Sequence, residues 1–307
     1  MELNLLKIGF TLMTLFIVVI GGFINNFEKC LPTFIAQTFR YGKFAYKGEP
    51  SSLRFIILEV PKRWFKHFYI FASIWSTYAL MLMTYVYIFG GDMPHYVNVC
   101  LDFLGTSHRR AGVSAISAFI ALILLTLQSW RRFYETFFVS VFSDSNINFA
   151  HYIVGYIHYF GAVAAILVEA PGLTPLSIEH KAVVSLSDIR WTDALGSALF
   201  LWAFVHQFRA AVILANLRKN KKGDVVSMRH NIPSGDWFEL VSCPHLLSEA
   251  LMYLGLGLVL LGNYTWPFVF FWVLSNQMET ALLTHWWYLS HFKEYPKERH
   301  AFIPYVL

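Results

Sequence analysis

The sequence is poor in charged residues and in cysteine. Of its 307 residues, 14% are charged and 56% are hydrophobic, whereas soluble domains carry roughly a quarter charged residues. A water-soluble fold could not hide that much apolar surface, so the composition favours a membrane protein. The three cysteines, Cys30, Cys100 and Cys243, form no CxxC or Cys/His pair. They imply neither a disulfide framework nor a zinc site.

The common nucleotide-binding and hydrolase motifs are missing as well. The chain has no GxGxxG, GxxxxGK[ST] or GxSxG pattern, so a Rossmann domain, a P-loop and a hydrolase elbow are not supported. Any dinucleotide would have to be held by the membrane bundle itself. The formal net charge is +5, but the basic residues stand in short segments between apolar runs. That pattern indicates membrane topology and not a nucleic-acid surface.

Seven apolar stretches have about the length of membrane-spanning helices. They run near Leu5–Ile24, Phe68–Phe89, Val113–Gln128, Ala150–Val168, Ala194–Leu214, Leu246–Leu261 and Trp266–Leu283. Lys and Arg are dense after the first, third, fifth and seventh stretches, as expected for cytoplasmic loops. The sequence therefore predicts an all-α membrane protein, a bundle of about seven transmembrane helices with a cytosolic C-terminus. Asn263-Tyr264-Thr265 matches the glycosylation pattern, in a connection too tight for use.

Polar residues within or beside the spans are candidates for function, because such groups are expensive in hydrocarbon. At the end of the third span, Arg131 and Arg132 can each reach Glu135 at helical spacing. They can form part of a site, or they can be snorkelling arginines at the interface with a self-paired glutamate. The spacing alone favours the interfacial pair, since structural ion pairs often imitate sites.

A second group of polar residues follows the fifth span. His206 and Arg209 share one helix face, and Arg218 lies nine residues beyond Arg209. Such a row can hold phosphates, since guanidinium groups give bidentate, charge-assisted bonds. The alternative is an ordinary cluster of cytoplasmic charges.

The last two spans add further candidates. Glu249 lies within the sixth span and needs a partner, either an arginine or a ligand hydroxyl or amide. His285 and Tyr288 are three residues apart at the mouth of the last span. Both can give protons, but a lone interfacial His or Tyr is usually an anchor.

The tail from Tyr288 onward, YLSHFKEYPKERHAFIPYVL, resembles the terminal signature of the steroid 5α-reductase family. The segments Asn216-Leu-Arg-Lys and Ile232-Pro-x-Gly, and Glu249 after its Ser-Cys-Pro-His turn, are placed as in that family. Val60-Pro-Lys-Arg-Trp-Phe and Gly235-Asp-Trp-Phe-Glu are most similar to the type 3 branch, which reduces polyprenal. The resemblance covers nearly the whole chain and is strongest from residue 131 onward.

The resemblance implies a multi-pass protein of the endoplasmic reticulum membrane that uses NADPH and contributes to dolichol synthesis for protein glycosylation. It implies that residues 1–130 give substrate access and that residues 131–307 hold the NADPH site. The partners would be a polyprenyl lipid and membrane lipid, without nucleic acid or metal. Carried over by position, the catalytic residues would be His285 and Tyr288, the substrate-binding residues Arg131, Arg132 and Glu135, and the cofactor-binding residues Asn216, Arg218, Trp237, His245, Glu249 and Arg299.

Two departures from the family pattern affect these expectations. Gln128-Ser129 stands where the steroid-reducing branches have a His-Tyr pair, so their tyrosine proton donor is missing. His245 stands where many members of the family have Asn. It can still donate a hydrogen bond, but whether it makes the contact of that Asn with the nicotinamide or an amide stays open.

Reduction of a conjugated double bond needs hydride at the β-carbon, stabilisation of the developing enolate oxygen, and a proton at the α-carbon. We expect His285 or Tyr288 to bond the aldehyde oxygen, and Arg218 with neighbouring basic groups to bind the cofactor phosphates. Three alternative functions stay open. The chain could be a reductase of 4-ene-3-keto steroids or another enoyl lipid, an isoprenylcysteine-type methyltransferase, or a non-enzymatic lipid-binding or scaffold protein.

Overall fold

The structure, a computed structural model, describes residues 3–27, 58–174 and 182–307. Within these ranges the chain is mostly helical, with one small antiparallel sheet that pairs Val60 with Ile147. The α-helices are α1 (Leu5–Phe27), α2 (Phe65–Tyr87), α3 (His95–Leu104), α4 (Ala115–Tyr134), α5 (Phe149–Leu167), α6 (Trp191–Asn216), α7 (Pro244–Val259) and α8 (Trp266–His291). The strands are β1 (Glu59–Pro61) and β2 (Asn146–Asn148).

All seven apolar stretches of the sequence lie mainly within helices, and the all-α membrane fold is confirmed. Among the described residues, five helices are long and apolar enough to cross a membrane, namely Leu5–Phe27, Lys62–Tyr87, Ala115–Val139, Phe149–Leu167 and Trp191–Asn216. The sixth stretch is α7, which is apolar but has only 16 residues. The seventh is α8, which has 26 residues but a polar middle at Asn276, Gln277 and Glu279.

One feature of the connections was not predicted from the sequence, and one predicted feature cannot be compared with the structure. The connection between α2 and α4 contains the short helix α3, which the hydropathy pattern did not indicate. Most of the basic loop after α1, including Lys29, Arg40, Lys43, Lys47 and Arg54, lies outside the described residues. The predicted orientation of that loop stays a prediction.

The helices pack through apolar faces and close glycine contacts. The core joins Phe10 of α1, Leu125 of α4, Phe200 of α6 and Trp266 of α8 in one cluster. A Cβ added to Gly196 of α6 would collide with the Gly255 carbonyl oxygen of α7. Because glycine has no side chain, these two helices can approach backbone to backbone.

Helix α4 does not end in an ordinary turn. Its last residues continue into a π-turn over Glu135–Val139, in which the Ser140 amide donates to the Glu135 carbonyl oxygen at 2.8 Å. This is an i→i+5 bond, rare in proteins and frequent at functional sites. It begins three residues after Arg132.

The end of the bundle where α5 finishes and α8 begins is dense in satisfied polar groups. Glu169 accepts hydrogen bonds from the Tyr264 amide at 2.6 Å and the Thr265 hydroxyl at 2.5 Å. The Asn263 amide donates to the Ala165 carbonyl oxygen at 2.9 Å, and Asn263 is 4% exposed. Its buried amide explains why the glycosylation pattern is unsuited to use. We call the cluster of Asp102, Arg109, Glu169, Asn263 and Thr265 the packed end.

Candidate active site

A cavity of about 570 Å³ lies at the other end of the bundle, where α4 and α6 finish and α7 begins. Its wall draws on residues from α1, α2 and α4 to α8. Ile17, Trp272 and Val273 contribute apolar surface to it, and Lys62, Arg218 and Arg229 contribute positive charge. One space therefore joins an apolar side to a cationic side, which suits a ligand or a ligand pair with both characters.

Two arginines and two glutamates form a charged centre beside this cavity. Arg131 donates to Glu135 at 3.2 Å, and Arg132 bonds the other oxygen of the same carboxylate. Both predicted pairs with Glu135 are thus present. Glu249 is 8% exposed and Glu135 3%. The four formal charges cancel, which lowers the cost of burying them together.

Two glutamine side chains connect the charged centre. The Gln128 amide donates to the Glu249 carboxylate at 3.2 Å and to the Gln207 side-chain oxygen at 2.9 Å. Gln207 in turn donates to Glu249 and, at 2.9 Å, to the carbonyl oxygen of His245. Arg131 donates to the side-chain oxygen of Gln128 at 2.7 Å. The network fixes the orientation of Glu249 at the cavity wall.

Tyr69 of α2 extends the network through Arg132. The Arg132 guanidinium donates to the Tyr69 hydroxyl oxygen from Nη2 at 2.6 Å and from Nε at 3.2 Å. Tyr159 of α5 packs edge-on against Tyr69, with ring centroids 5.7 Å apart. Tyr69, Tyr159 and Arg132 all line the cavity. An aromatic hydroxyl is therefore held beside a cation at the centre of the site.

Arg218 gives the cationic side of the cavity its fixed charge. It follows directly after α6, and its Nη1 donates to the Val141 carbonyl oxygen at 2.5 Å. Burial lowers the pKa of the Arg218 guanidinium from its usual value, but arginine stays cationic at neutral pH. The remaining donors of the guanidinium are suited to an anionic group.

The C-terminal tail packs against Tyr288 at the cavity wall. The Ser242 hydroxyl lies 2.7 Å from His285 Nδ1 and 2.6 Å from the Tyr295 hydroxyl. Tyr288 stacks on Tyr295 with ring centroids 5.1 Å apart. Burial raises the pKa of the Tyr295 hydroxyl. Ser242 and Tyr288 line the cavity, whereas His285 stands behind Ser242.

Trp237 belongs to a different cluster on the outer side of α6. Its ring stacks on His206 with centroids 4.2 Å apart, and His206 Nδ1 lies 2.9 Å from the Asp236 carboxylate. The row of His206 and Arg209 considered for phosphates does not line the cavity. This cluster holds the loop 235–239 against α6.

The predicted site residues fall into two groups. Those that line the cavity are Arg132, Glu135, Arg218, His245, Glu249 and Tyr288. Those that stand behind or beside it are Arg131, Asn216, Trp237, His285 and Arg299. Arg299 fastens the tail, because it donates to the Pro233 carbonyl oxygen at 2.9 Å. Ser129, at the position of the missing tyrosine, donates its hydroxyl to the Leu125 carbonyl oxygen at 2.9 Å. In the described ranges no group of three His, Cys, Asp or Glu side chains is arranged to hold a metal ion.

Comparison with known proteins gives consistent matches along the chain. Residues 178–307 match the family model described as 3-oxo-5-alpha-steroid 4-dehydrogenase. The chain is 42% identical to a polyprenal reductase of Drosophila melanogaster, over 100% of this chain and 94% of the relative. It is 40% identical to a polyprenal reductase of Caenorhabditis elegans over 87% of this chain and 85% of the relative. It is 38% identical to one of Homo sapiens over 87% of this chain and 84% of the relative.

Proposed function

The chain belongs to the steroid 5α-reductase family, in the branch of the polyprenal reductases, and from that premise we propose that it reduces polyprenal to dolichal with NADPH. The bond reduced is the conjugated double bond of the α-isoprene unit. The observation that carries this proposal is the full-length similarity to relatives that share one activity. The chain is a multi-pass membrane oxidoreductase that acts on a carbon–carbon double bond, and we place it in the endoplasmic reticulum, in dolichol synthesis for protein N-glycosylation.

The cationic side of the cavity supports a phosphate-bearing cofactor. Lys62, Arg218 and Arg229 line it within one space, and such groups neutralise phosphate charge through charge-assisted bonds. A reduced nicotinamide, when bound, would supply the hydride for the β-carbon. We assign phosphate binding to Arg218, and we assign the nicotinamide end to Glu249 and Tyr288. Asn216, Trp237, His245 and Arg299 stay predictions as cofactor contacts. Of these, His245 lines the cavity.

The apolar side supports a long isoprenoid. Ile17 of α1 and Trp272 and Val273 of α8 line this part of the cavity, and Asn276, Gln277 and Glu279 follow them along α8. Most of the outward surface of α1 is apolar and exposed, including Leu12, Leu15 and Phe16. We propose that the chain of the substrate lies along this side, and that its aldehyde reaches the charged centre. Arg131, Arg132 and Glu135 then surround the polar end of the substrate, with Arg132 and Glu135 in the wall.

The direct test is the reaction of the purified protein in lipid nanodiscs. We expect NADPH oxidation on addition of polyprenal, with dolichal as the product identified by mass spectrometry. Polyprenol and a 4-ene-3-keto steroid are the comparison substrates, NADH is the comparison donor, and S-adenosylmethionine with an isoprenylated cysteine tests methyl transfer. Faster turnover of the steroid would assign the chain to the steroid-reducing activity. Methyl transfer without NADPH oxidation, or binding without any turnover, would overturn the proposal.

The proposed orientation has an independent test. The tail beyond α8 carries Lys293, Lys297 and Arg299 and should face the cytosol. We expect a single cysteine placed at position 297 to react with an impermeant thiol reagent from the cytosolic side of sealed microsomes. A cysteine at position 47 should react from the same side. Labelling from opposite sides would break the predicted topology.

A further inference from the structure

Tyr69 has an unusual hydrogen-bonding position in the wall of the cavity. Its hydroxyl oxygen accepts two bonds from Arg132, at 2.6 Å and 3.2 Å, and Tyr69 is 8% exposed. A phenolic oxygen has one O–H to donate and lone pairs with which it accepts. Since Arg132 occupies the accepting side, the O–H must point elsewhere. No described side chain or carbonyl accepts a bond from it.

The neighbours of Tyr69 leave the hydroxyl little freedom. Arg132 is itself anchored, because its Nη1 bonds the Glu135 carboxylate. The ring of Tyr69 is packed between Phe68, with centroids 4.6 Å apart, and Tyr159, at 5.7 Å. The donor is therefore fixed before any ligand enters, and a buried donor without an acceptor is costly until a ligand supplies one.

Several other polar groups of the wall are less suited to donate to a carbonyl oxygen. Glu135 and Glu249 are acceptors when ionised. Arg218 stands at the cationic side, next to Val141. Tyr69 combines an available O–H with a guanidinium that withdraws charge from the same oxygen, which strengthens it as a donor.

We propose that Tyr69 is a catalytic residue, whose hydroxyl donates a hydrogen bond to the carbonyl oxygen of the bound α,β-unsaturated aldehyde. The inference rests on the proposed function and names the group that stabilises its transition state. As the β-carbon receives hydride, the electron pair of the double bond moves and negative charge develops on the carbonyl oxygen. The Tyr69 hydrogen bond stabilises that charge, and Arg132 stabilises it through Tyr69. A proton of solvent origin then adds to the α-carbon and restores the carbonyl group.

The test uses the full-length protein with Tyr69→Phe, which removes only the hydroxyl. We expect the single-turnover rate of NADPH oxidation with polyprenal to fall by about 10²–10³-fold, because that is the usual effect of removing one oxyanion donor. The affinity for NADPH should not change. Tyr156→Phe is the matched control, since Tyr156 packs on Phe68 and bonds Tyr152 but does not line the cavity. Its rate should equal that of the wild type.

A second measurement does not depend on turnover. The carbonyl stretching frequency of a short polyprenal bound without cofactor should be lowered by the hydrogen bond in the wild type, and this shift should disappear in Tyr69→Phe. The inference is overturned if Tyr69→Phe keeps the wild-type rate and shift, or if Tyr159→Phe loses them instead. If the wild type shows the shift and Tyr69→Phe loses it, but no NADPH is oxidised, the proposed function and the catalytic role of Tyr69 both fail, and only the hydrogen bond from Tyr69 to the carbonyl oxygen stands.

Discussion

The two ends of the bundle both bury polar residues, but they use them in opposite ways. At the packed end the acceptors and donors are matched within the protein, as when Glu169 takes bonds from Tyr264 and Thr265. At the cavity end Arg218, Tyr69 and Glu249 keep bonding capacity toward a space of about 570 Å³.

The backbone is also more closely packed at the packed end than at the cavity end. Gly112 and Gly262 at the packed end leave no room for a Cβ, since one added to either would collide with the carbonyl oxygen of the other. At the cavity end α4 opens into the π-turn. Burial of charge therefore does not by itself indicate a site. The useful signal is a buried polar group whose bonds are incomplete beside a space that a ligand can fill.

The largest effect on stability should come from the packed end. Glu169→Ala leaves the Tyr264 amide and the Thr265 hydroxyl without their acceptor, and each lost partner costs roughly 1–3 kcal/mol. We expect the free energy of unfolding to fall by about 3 kcal/mol, measured by thermal unfolding in detergent. Turnover per folded molecule should not change. Glu298→Ala, at an exposed position, is the control. A loss of turnover without a loss of stability would make the packed end part of the site.

Removal of charge from the cavity end should act on binding instead. Arg218→Met should weaken NADPH binding by about 10- to 100-fold, because a hydrogen bond to a charged group contributes roughly 1.5–3 kcal/mol. Fluorescence titration measures this, and the effect should shrink as salt rises. Lys222→Met, on an exposed lysine outside the cavity, should bind NADPH as the wild type does. Equal affinities in the two variants would remove Arg218 from the site.

Glu249→Gln should have a smaller effect on the same equilibrium. The new amide would face the amides of Gln128 and Gln207, which now donate to the carboxylate. We expect NADPH affinity to fall about tenfold, because a reoriented network costs about one hydrogen bond. Size-exclusion profiles should match the wild type. Glu239→Gln, which alters an exposed carboxylate near Arg299, is the comparison. An unchanged dissociation constant would show that Glu249 does not contact the cofactor.

An effect of similar size, on the rate and not on binding, should come from His285, which the sequence suggested as a direct donor to the carbonyl. Such a donor would cost about 10²–10³-fold in turnover when removed. Because His285 Nδ1 contacts Ser242 behind the wall, we expect His285→Ala to lower the rate only about tenfold. Ser242→Ala should have a similar effect, and the double variant should add little, since residues in one network are not additive. A loss near 10³-fold in His285→Ala alone would restore the direct role.

Much of the bundle could be predicted because hydropathy and charge act along the chain. The apolar stretches gave the helices, and helical spacing gave both pairs of Glu135 with Arg131 and Arg132. The polar middle of α8 also follows from the sequence. The short helix α3 did not, because its 10 residues are too few for the membrane-spanning length by which the apolar stretches were identified.

The sequence could not predict which residues far apart along the chain lie together in the site. Tyr69 and Arg132 are 63 positions apart, and Tyr69 is one aromatic residue among many in an apolar span. Gln207 carried a weak signal, since it is an amide within a span, but its partners on α4 and α7 depend on packing. His285 aligned with a family position, yet only the fold shows Ser242 between it and the cavity.

The π-turn at Glu135–Val139 determines how much variation in chain length the charged centre can tolerate. Each residue inserted into or deleted from an α-helix rotates the residues beyond it by about 100°. A deletion within α4 would therefore turn Arg131 and Arg132 away from Glu249 and Tyr69. The i→i+5 turn already holds one residue more than an α-turn, so a deletion there can relax to ordinary helical geometry. A one-residue deletion should thus be accepted in the π-turn after the arginines and rejected in α4 before them.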